Sequence, residues 1–546
     1  MNKGELIQLF LNKGFLLSPD TLDTDSLDNS FFETLNIKIK SRDKPLIISK
    51  DLISAFTNNG IVDINWLEFE KSKVLLEKKN INKTYGVFLN ILNPNKNVNN
   101  RTEFDIKPVL TIKEEAIRKE VNKRNPNLNG VVIVKQFNLP SKKINIKDFV
   151  NYFKYRYETI KGILQNRQEL KNLYAINRIL NKQDGEEVST IGLVYSKQYT
   201  KNNNIFLTLE DTSGFLRVLI TRSNNELFKM AENVCLDEVI GVIGKLNEGI
   251  LFTTSIVYPD IINSKNKKYD EEIYAAFISD IHVGSKMFLE KEFLKFVDWL
   301  NGKSTDSKIK NIGLKVEYLF LVGDLVDGIG VYPGQENSLV FKDIRHQYNR
   351  LAELLSKIRT DIKLIICPGN HDSVRAAEPQ PQLDKDYAEA LWNLPNTIMV
   401  SNPAMINIHA RSDFEGYNVL MYHGASFHYY VDNFTNLRVN KPRDNPSHIL
   451  KFLLQKRHLA PSHSSTTYVP IGDEDPLVID KVPDVVVSGD MHKSDVSTYN
   501  GITIINCSCW QSKTDYQEKT GNNPDPCIVP VFSLKDRKVL MVNFAE

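Results

Sequence analysis

Runs of apolar and polar residues divide the chain into stretches of different period. Near the start, GELIQLFLNKGFLL carries Leu6, Leu9, Phe10 and Leu11 near helical spacing, and IISKDLISAFTNNG predicts a helix closed by Gly60. Residues 1–92 thus predict a small helical domain. Large apolar residues then thin out, as in NPNKNVNNRTEF and NKRNPNLNG, which predicts a solvated linker over 93–140. Next, NIKDFVNYFKYRYETIKGIL places Phe149, Tyr152, Phe153, Tyr157, Ile160 and Leu164 three or four residues apart. That is an amphipathic helix whose aromatic face suits core packing better than base stacking. It opens a region of connecting helices over 141–185.

Over 186–261 the period changes to two. VSTIGLVYSKQYTKNNNIFLTLEDTSGFLRVLIT alternates between polar turns, and EVIGVIGKLNEGILFTTSIV adds further strands. About five short strands in so compact a stretch predict a Greek-key barrel of the OB type. Barrels of this kind bind single strands through aromatic platforms and basic grooves, for which Tyr195, Tyr199, Lys197, Lys201 and Arg217 are candidates. Protein contact is the equally ready alternative. A polar stretch, INSKNKKYDEE, leads into a last domain over 262–546, where short apolar runs alternate with helical segments in a layered arrangement. The fold class expected for the whole is multidomain α+β.

Five apolar runs of that last domain end in ligand-type side chains. YAAFISDIHVGS carries Asp280 and His282, EYLFLVGDLVDG carries Asp324 and Asp327, and KLIICPGNHDS carries Asn370, His371 and Asp372. YNVLMYHGAS carries His423, and DVVVSGDMHKSD carries Asp490 and His492. Strands side by side in a sheet deliver such ends to one edge, where ligand sites form. Taken alone, each fragment reads as a solvated turn, an Asx-turn or a buried histidine bonded to backbone. Together they would place several carboxylates and imidazoles at one edge, an assembly that needs a cation to be tolerable. Paired divalent ions about 3.5–4 Å apart need seven or eight such ligands. Asp, Asn and His suit manganese, magnesium or zinc.

Composition changes the picture little. Lys+Arg 69 against Asp+Glu 67 leaves a net charge of +2, so any nucleic-acid surface must be a local patch. No apolar run approaches the roughly 18 residues of a membrane span. The five cysteines are few and odd in number, which predicts reduced, packed thiols and a cytoplasmic location. A zinc site built on Cys507, Cys509 and Cys527 would lack a fourth ligand at sensible spacing. All ten histidines lie at or after residue 282, which confines the expected chemistry to the C-terminal half.

The ordered set DIH, GDLVDG, GNHD, H and GDMH resembles the calcineurin-like metallophosphoesterases from about residue 273 to 545. The resemblance implies a two-layered β-sandwich flanked by helices, with two metals at one sheet edge. GNHDSVRAAEPQP, MYHGASF, QKRHLAPSH and DPLVIDKVPDVVVSGDMH narrow it to the small subunits of archaeal DNA polymerase D, over roughly 145–545. That family implies 3′-to-5′ exonuclease proofreading on a DNA primer end for a separate, larger polymerase subunit. It also implies roles. Asp280, His282 and His492 would hold one metal, and Asn370, His423 and Asp490 the other, with Asp324 bridging. His371 would act as general acid or transition-state stabiliser. Asp327 and Asp372 would orient ligands or loop, Asp327 alternatively capping a helix. Asp490 stands where the family pattern has histidine, which leans the site toward manganese or magnesium. Arg375 is a candidate phosphate clamp or structural ion-pair partner. Lys456, Arg457 and His458 are candidate DNA contacts or a solvated helix end. The alternatives to a proofreading subunit are a scaffolding subunit with a weak site and a stand-alone phosphoesterase or nuclease.

Overall fold

The computed structural model describes residues 16–17, 47–48, 130–137, 143–262, 267–304, 306–439, 443–470 and 472–545. The chain divides into two compact units, Met1–Pro108 and Val109–Glu546. In the first, Leu16–Leu17 pairs in parallel with Ile47–Ile48. Both segments, read from sequence as parts of helices, are therefore strands. The remainder of the helical reading of 1–92 lies outside the described residues.

VVIVK forms strand β1 (Val131–Lys135), inside the stretch expected to be linker. Its β-branched residues fit a pleated surface, and the polar composition around them masked so short a run. Helix α1 (Ile146–Leu164) follows, started by a capping box between Asn145 and Asp148. Its Tyr157, Ile160 and Leu164 are buried with Ile191, Val239 and Val257 of the neighbouring strands, the core role expected for this face.

Strands β2 (Glu187–Tyr199), β3 (Ile205–Asp211), β4 (Gly214–Ile220), β5 (Val239–Asn247) and β6 (Ile250–Val257) close into a barrel in the order β2-β3-β4-β6-β5. Helix α2 (Asn225–Glu232) lies between β4 and β5 in sequence and buries Leu227, Phe228 and Ala231 against the barrel core. Period two is plain in β3: Ile205, Leu207 and Leu209 are fully buried, while Phe206, Thr208 and Glu210 between them are not.

The remaining strands form a sandwich of two six-stranded sheets. β7 (Tyr274–Ile278), β8 (Val316–Val322), β9 (Lys363–Cys367) and β10 (Thr397–Met399) run parallel. β11 (Ala404–Ile408), β12 (Tyr417–Met421), β13 (Val485–Ser488), β14 (Asp495–Tyr499) and β15 (Ile502–Asn506) belong to the second sheet. β16 (Ile528–Ser533) and β17 (Val539–Asn543) return to the first. The sheet orders are β10-β9-β8-β7-β16-β17 and β14-β15-β13-β12-β11-β1.

Phe277, Phe320, Val322 and Ile365 of the first sheet share a core with Val419, Met421, Val485 and Val487 of the second. The alternate residues Ala276, Ile278, Leu319 and Leu321 pack outward on helices α3 (Glu290–Leu300) and α4 (Ile344–Leu355). Leu420 and Val486 pack outward on α5 (Phe427–Asn433) and α6 (Ser447–Lys456). Both faces of these strands are buried, so they read as continuous apolar runs rather than alternating ones. Each such Val, Leu, Ile, Phe or Met side chain contributes about 1.5–3 kcal/mol of burial. Their parallel direction within each sheet brings the loops after β7, β8, β9, β12 and β13 to one edge.

Candidate metal centre

The loops after β7, β8 and β13 turn sharply as they leave their strands. Asp280, His282, Asp324, Asp490 and His492 all have φ between 50° and 67°, in the left-handed region that residues with a Cβ seldom adopt. Backbone strain of this kind clusters where a structure over-determines a functional geometry. The loops also approach one another closely. A Cβ on Gly369 would collide with Asp324 Oδ1 and sit 2.8 Å from His423 Nε2. One on Gly489 would sit 2.6 Å from Asp280 Oδ2. Only glycine lets these chains bring their side chains together.

Asp280, His282, Asp324, His371, His423, Asp490 and His492 converge. His492 Nε2 lies 3.3 Å from Asp280 Oδ1, and His282 Nε2 lies 3.2 Å from His492 Nε2. His423 Nε2 lies 3.3 Å from Asp324 Oδ1 and 3.9 Å from Asp490 Oδ1. Asp324 Oδ2 lies 3.9 Å from His282 Nε2 and 4.0 Å from His371 Nε2, so this carboxylate faces both sets. Among the described residues, Asp280–His282–His492 and Asp280–Asp324–His423 each bring three ligand atoms within 4.8 Å of one another, and the candidate groups contain no cysteine. All five cysteines are free and buried.

A surrounding layer orients the rings. His282 Nδ1 pairs with Asp327 Oδ1 at 3.1 Å, and His423 Nδ1 donates to the Val322 carbonyl at 2.8 Å. His371 Nδ1 donates to the Asp327 carbonyl at 2.8 Å. In each ring Nε2 is left to face the centre, the arrangement expected of metal-binding imidazoles. Asp327 thus orients a ring rather than capping a helix. Asp372 instead holds the loops: it accepts from Gly369 N at 2.9 Å, Leu325 N at 3.2 Å and Tyr348 Oη at 3.1 Å. Burial pushes its carboxyl up to about 7. Asn370 is exposed on the rim of the same loop.

The donor set fits a divalent cation by its unmet atoms. Among the described residues, Asp280 Oδ1, His423 Nε2 and Asp490 Oδ2 are buried without a hydrogen-bond partner, which native interiors seldom tolerate. Burial alone would raise Asp324, yet His423 and His371 hold its carboxyl well below the ordinary range. Burial opposes charge on His423 too, and the carboxylates of Asp324, Asp280 and Asp490 outweigh it and raise that ring well above its usual value. A field that draws protons onto imidazoles at neutral pH equally favours a cation.

Other candidates end up elsewhere. Lys456, Arg457 and His458 are all buried, which corrects the expectation of DNA contact or a solvated helix end. Lys456 Nζ pairs with Glu238 Oε2 at 3.0 Å, and Arg457 donates to the carbonyls of Ile479 and Asp480. His458 Nε2 donates to Asp475 Oδ2 at 2.8 Å. Arg375 turns its fork onto the Pro379 carbonyl and clips its own loop. On the barrel, Tyr195 and Tyr199 are exposed and Arg217 lies 4.9 Å over the Phe206 ring. Lys197 instead donates to the carbonyls of Glu232 and Val234.

Two contributors escaped the sequence reading. Gln517 places its side-chain amide 2.9 Å from His492 Nδ1, and His428 places Nε2 3.5 Å from Asp490 Oδ2. His428 was visible as the second histidine of HGASFH. Gln517 was visible only as the last residue of a T-x-x-Q helix start.

A closed barrel joined to a sandwich that carries acids and imidazoles at its sheet edge defines a two-module class. The family of B-type subunits of DNA polymerases alpha and epsilon matches residues 276–497, and that described as OB-fold nucleic acid binding domain matches residues 188–261. The DNA polymerase II small subunit of Methanothermobacter thermautotrophicus is 38% identical over 395 residues, 72% of this chain and 79% of that protein. Its counterpart in Methanocaldococcus jannaschii is 36% identical over 391 residues, 71% of this chain and 64% of that protein. The Pyrococcus abyssi protein is 37% identical over 403 residues, 73% and 63% respectively. The chain belongs to the DNA polymerase II small subunit family, in agreement with the resemblance carried by its motifs. Its match spans less than two thirds of the last two relatives. Among the described residues, no helix is long and apolar enough to cross a membrane.

Proposed function

We propose that this chain is the 3′-to-5′ exonuclease subunit of a replicative DNA polymerase, removing misincorporated nucleotides from a primer end held by a larger polymerase subunit. The observation that carries this reading is the convergence of buried, unmet ligand atoms (Asp280 Oδ1, His423 Nε2 and Asp490 Oδ2) in a chain of this family. Asp280, His282 and His492 would hold one divalent ion, His423, Asp490 and Asn370 the other, with Asp324 between them. Donors of oxygen and imidazole nitrogen suit manganese or magnesium. When bound, such ions neutralise charge on phosphoryl oxygens and make water a competent nucleophile near neutral pH.

The chain's own residues supply the rest. Water adds to phosphorus, the bond to the penultimate 3′-oxygen breaks, and a nucleoside 5′-monophosphate leaves. His371 is oriented through Nδ1 by the Asp327 carbonyl, with Nε2 free to give its proton to that departing 3′-oxygen. Asp372 and Tyr348 keep the GNHD loop in register for this transfer. The exposed Tyr195 and Tyr199 of the barrel are available to stack unpaired bases.

The test is degradation of a 3′-mismatched primer by the full chain with manganese, beside Asp324→Asn and His371→Ala. His371→Ala should retain manganese and lose about 10²–10⁴-fold in rate. Wild-type activity no greater than that of both variants would leave the chain a scaffold. Faster turnover of p-nitrophenyl phosphate than of the primer would make it a general phosphoesterase.

A further inference from the structure

The proposed reaction leaves one histidine at the centre unused. His428 is the second residue of α5, five positions beyond His423. Its Nε2 lies 3.5 Å from Asp490 Oδ2, and its side chain is 50% exposed against 11% for that of Asp490. The two oxygens of Asp490 are placed differently. Oδ1 faces inward, 3.9 Å from His423 Nε2. Oδ2 faces His428 and is buried without a hydrogen-bond donor.

A carboxylate brings a difficulty to a metal position that an imidazole does not. It carries two acceptor oxygens, and when one binds an ion the other still needs a donor. Here that second oxygen is buried with no hydrogen-bond donor among the described residues, and the Asp280 and Asp324 carboxylates that act on Asp490 supply only acceptors. His428 is a donor within reach, on a helix whose Phe427, Tyr430 and Val431 are buried and fix its position. Its half-exposed ring has room to close the remaining gap to hydrogen-bond distance.

We propose that His428 is a positioning residue for the second cation site: it donates from Nε2 to Asp490 Oδ2 and so holds Oδ1 as the single inward ligand oxygen. The pairing rests on the metal reading proposed for this centre. It predicts that His428 and Asp490 act as a unit, and that an imidazole at position 490, with one ligand nitrogen and no spare oxygen, makes His428 dispensable.

Calorimetric titration of the chelated full chain with manganese, with the manganese electron paramagnetic resonance spectrum as a second readout, tests this. His428→Ala should weaken one of two sites by about 10–100-fold, the usual effect of losing a group that orients a ligand, and leave the other unchanged. His428→Gln, which keeps an N–H donor, should recover most of that affinity. Asp490→His should bind manganese equally well with or without His428→Ala. Thermal unfolding of each chelated variant distinguishes lost affinity from lost fold. Two manganese sites unmoved by His428→Ala would overturn the pairing alone, as would an Asp490→His protein as sensitive to His428→Ala as the parent. A wild-type chain that takes up no manganese would overturn the pairing and the metal reading together. Normal manganese uptake without exonuclease activity would sink the proposed reaction while leaving the pairing standing.

Discussion

At the junction of barrel and sandwich, Arg156, Asp475 and His458 are no more than 1% exposed, and each finds partners. Arg156 Nε donates to Asp475 Oδ2 at 2.7 Å and its Nη1 to the Asp237 and Pro461 carbonyls. His458 Nδ1 accepts from Ala460 N, so its proton sits on Nε2, directed at Asp475. Leu477 N takes the other Asp475 oxygen at 3.0 Å. At the sheet edge, Asp280, Asp324 and His423 are at most 3% exposed, yet among the described residues Asp280 Oδ1 and His423 Nε2 make no hydrogen bond, and their nearest ion-pair approaches, to His492 and Asp324, are 3.3 Å. Both clusters hold charge out of water, which is unfavourable unless every group is met. The junction is complete as protein and joins two modules. The edge cluster needs something from outside to complete it, which is the signature of a binding site rather than of a brace.

This contrast can be broken at several points. The largest effect expected is at the edge: Asp324→Asn, or chelation of the wild type, should take primer degradation to background while urea unfolding of the chelated protein changes little. At the junction the reverse holds. Arg156→Met strands a buried carboxylate and should lower stability by about 3–5 kcal/mol, read by urea denaturation. Loss of metal binding in that variant, as opposed to loss of fold, would erase the difference between brace and site.

The junction should also be acid-sensitive. Burial, helped by the Arg156 charge, lowers the His458 ring to about 4. A group whose folded value is depressed adds stability above its unfolded value of about 6.5 and loses it as pH falls through the folded value. Stability should therefore decline between about pH 6.5 and 4, by an amount on the order of 3 kcal/mol. Denaturation midpoints across that window should fall less steeply for His458→Gln. The smallest effect expected is at the edge again. Burial, with Asp280 and Asp324 adding to it, raises the Asp490 carboxyl, so its neutral form suits the chelated fold. Asp490→Asn should slightly raise the melting temperature in chelator and weaken manganese uptake. A melting temperature that falls in chelator would mean Asp490 is paired as fully as Asp475.

Most of the edge cluster was legible from the residues alone, because its signals are local. Apolar runs such as LFLV and VVV need both faces covered, and Gly323 and Gly489 mark abrupt turns directly after them. The junction was not legible. KRH at 456–458 reads as a basic helix end, and nothing in those three letters announces Glu238 or Asp475. β1 was hidden in the same way, since five residues are too few to stand out from a polar background. His428 lies between these cases: its letter was visible, but its relevance depends on α5 turning it toward Asp490.

The amino-acid sequence by itself marked the apolar runs that end in ligand-type side chains as buried strands, and showed which family the chain resembles. Periodicity, turn residues and motif spacing are properties of neighbours in the chain. The tertiary structure alone decided which charged groups meet. Asp324 reaches His423 because β8 and β12 lie in facing sheets, and Lys456 reaches Glu238 because the barrel packs on the sandwich. Those meetings depend on contacts between segments far apart in the chain, and only those contacts separate a buried charge that braces the fold from one left open to bind.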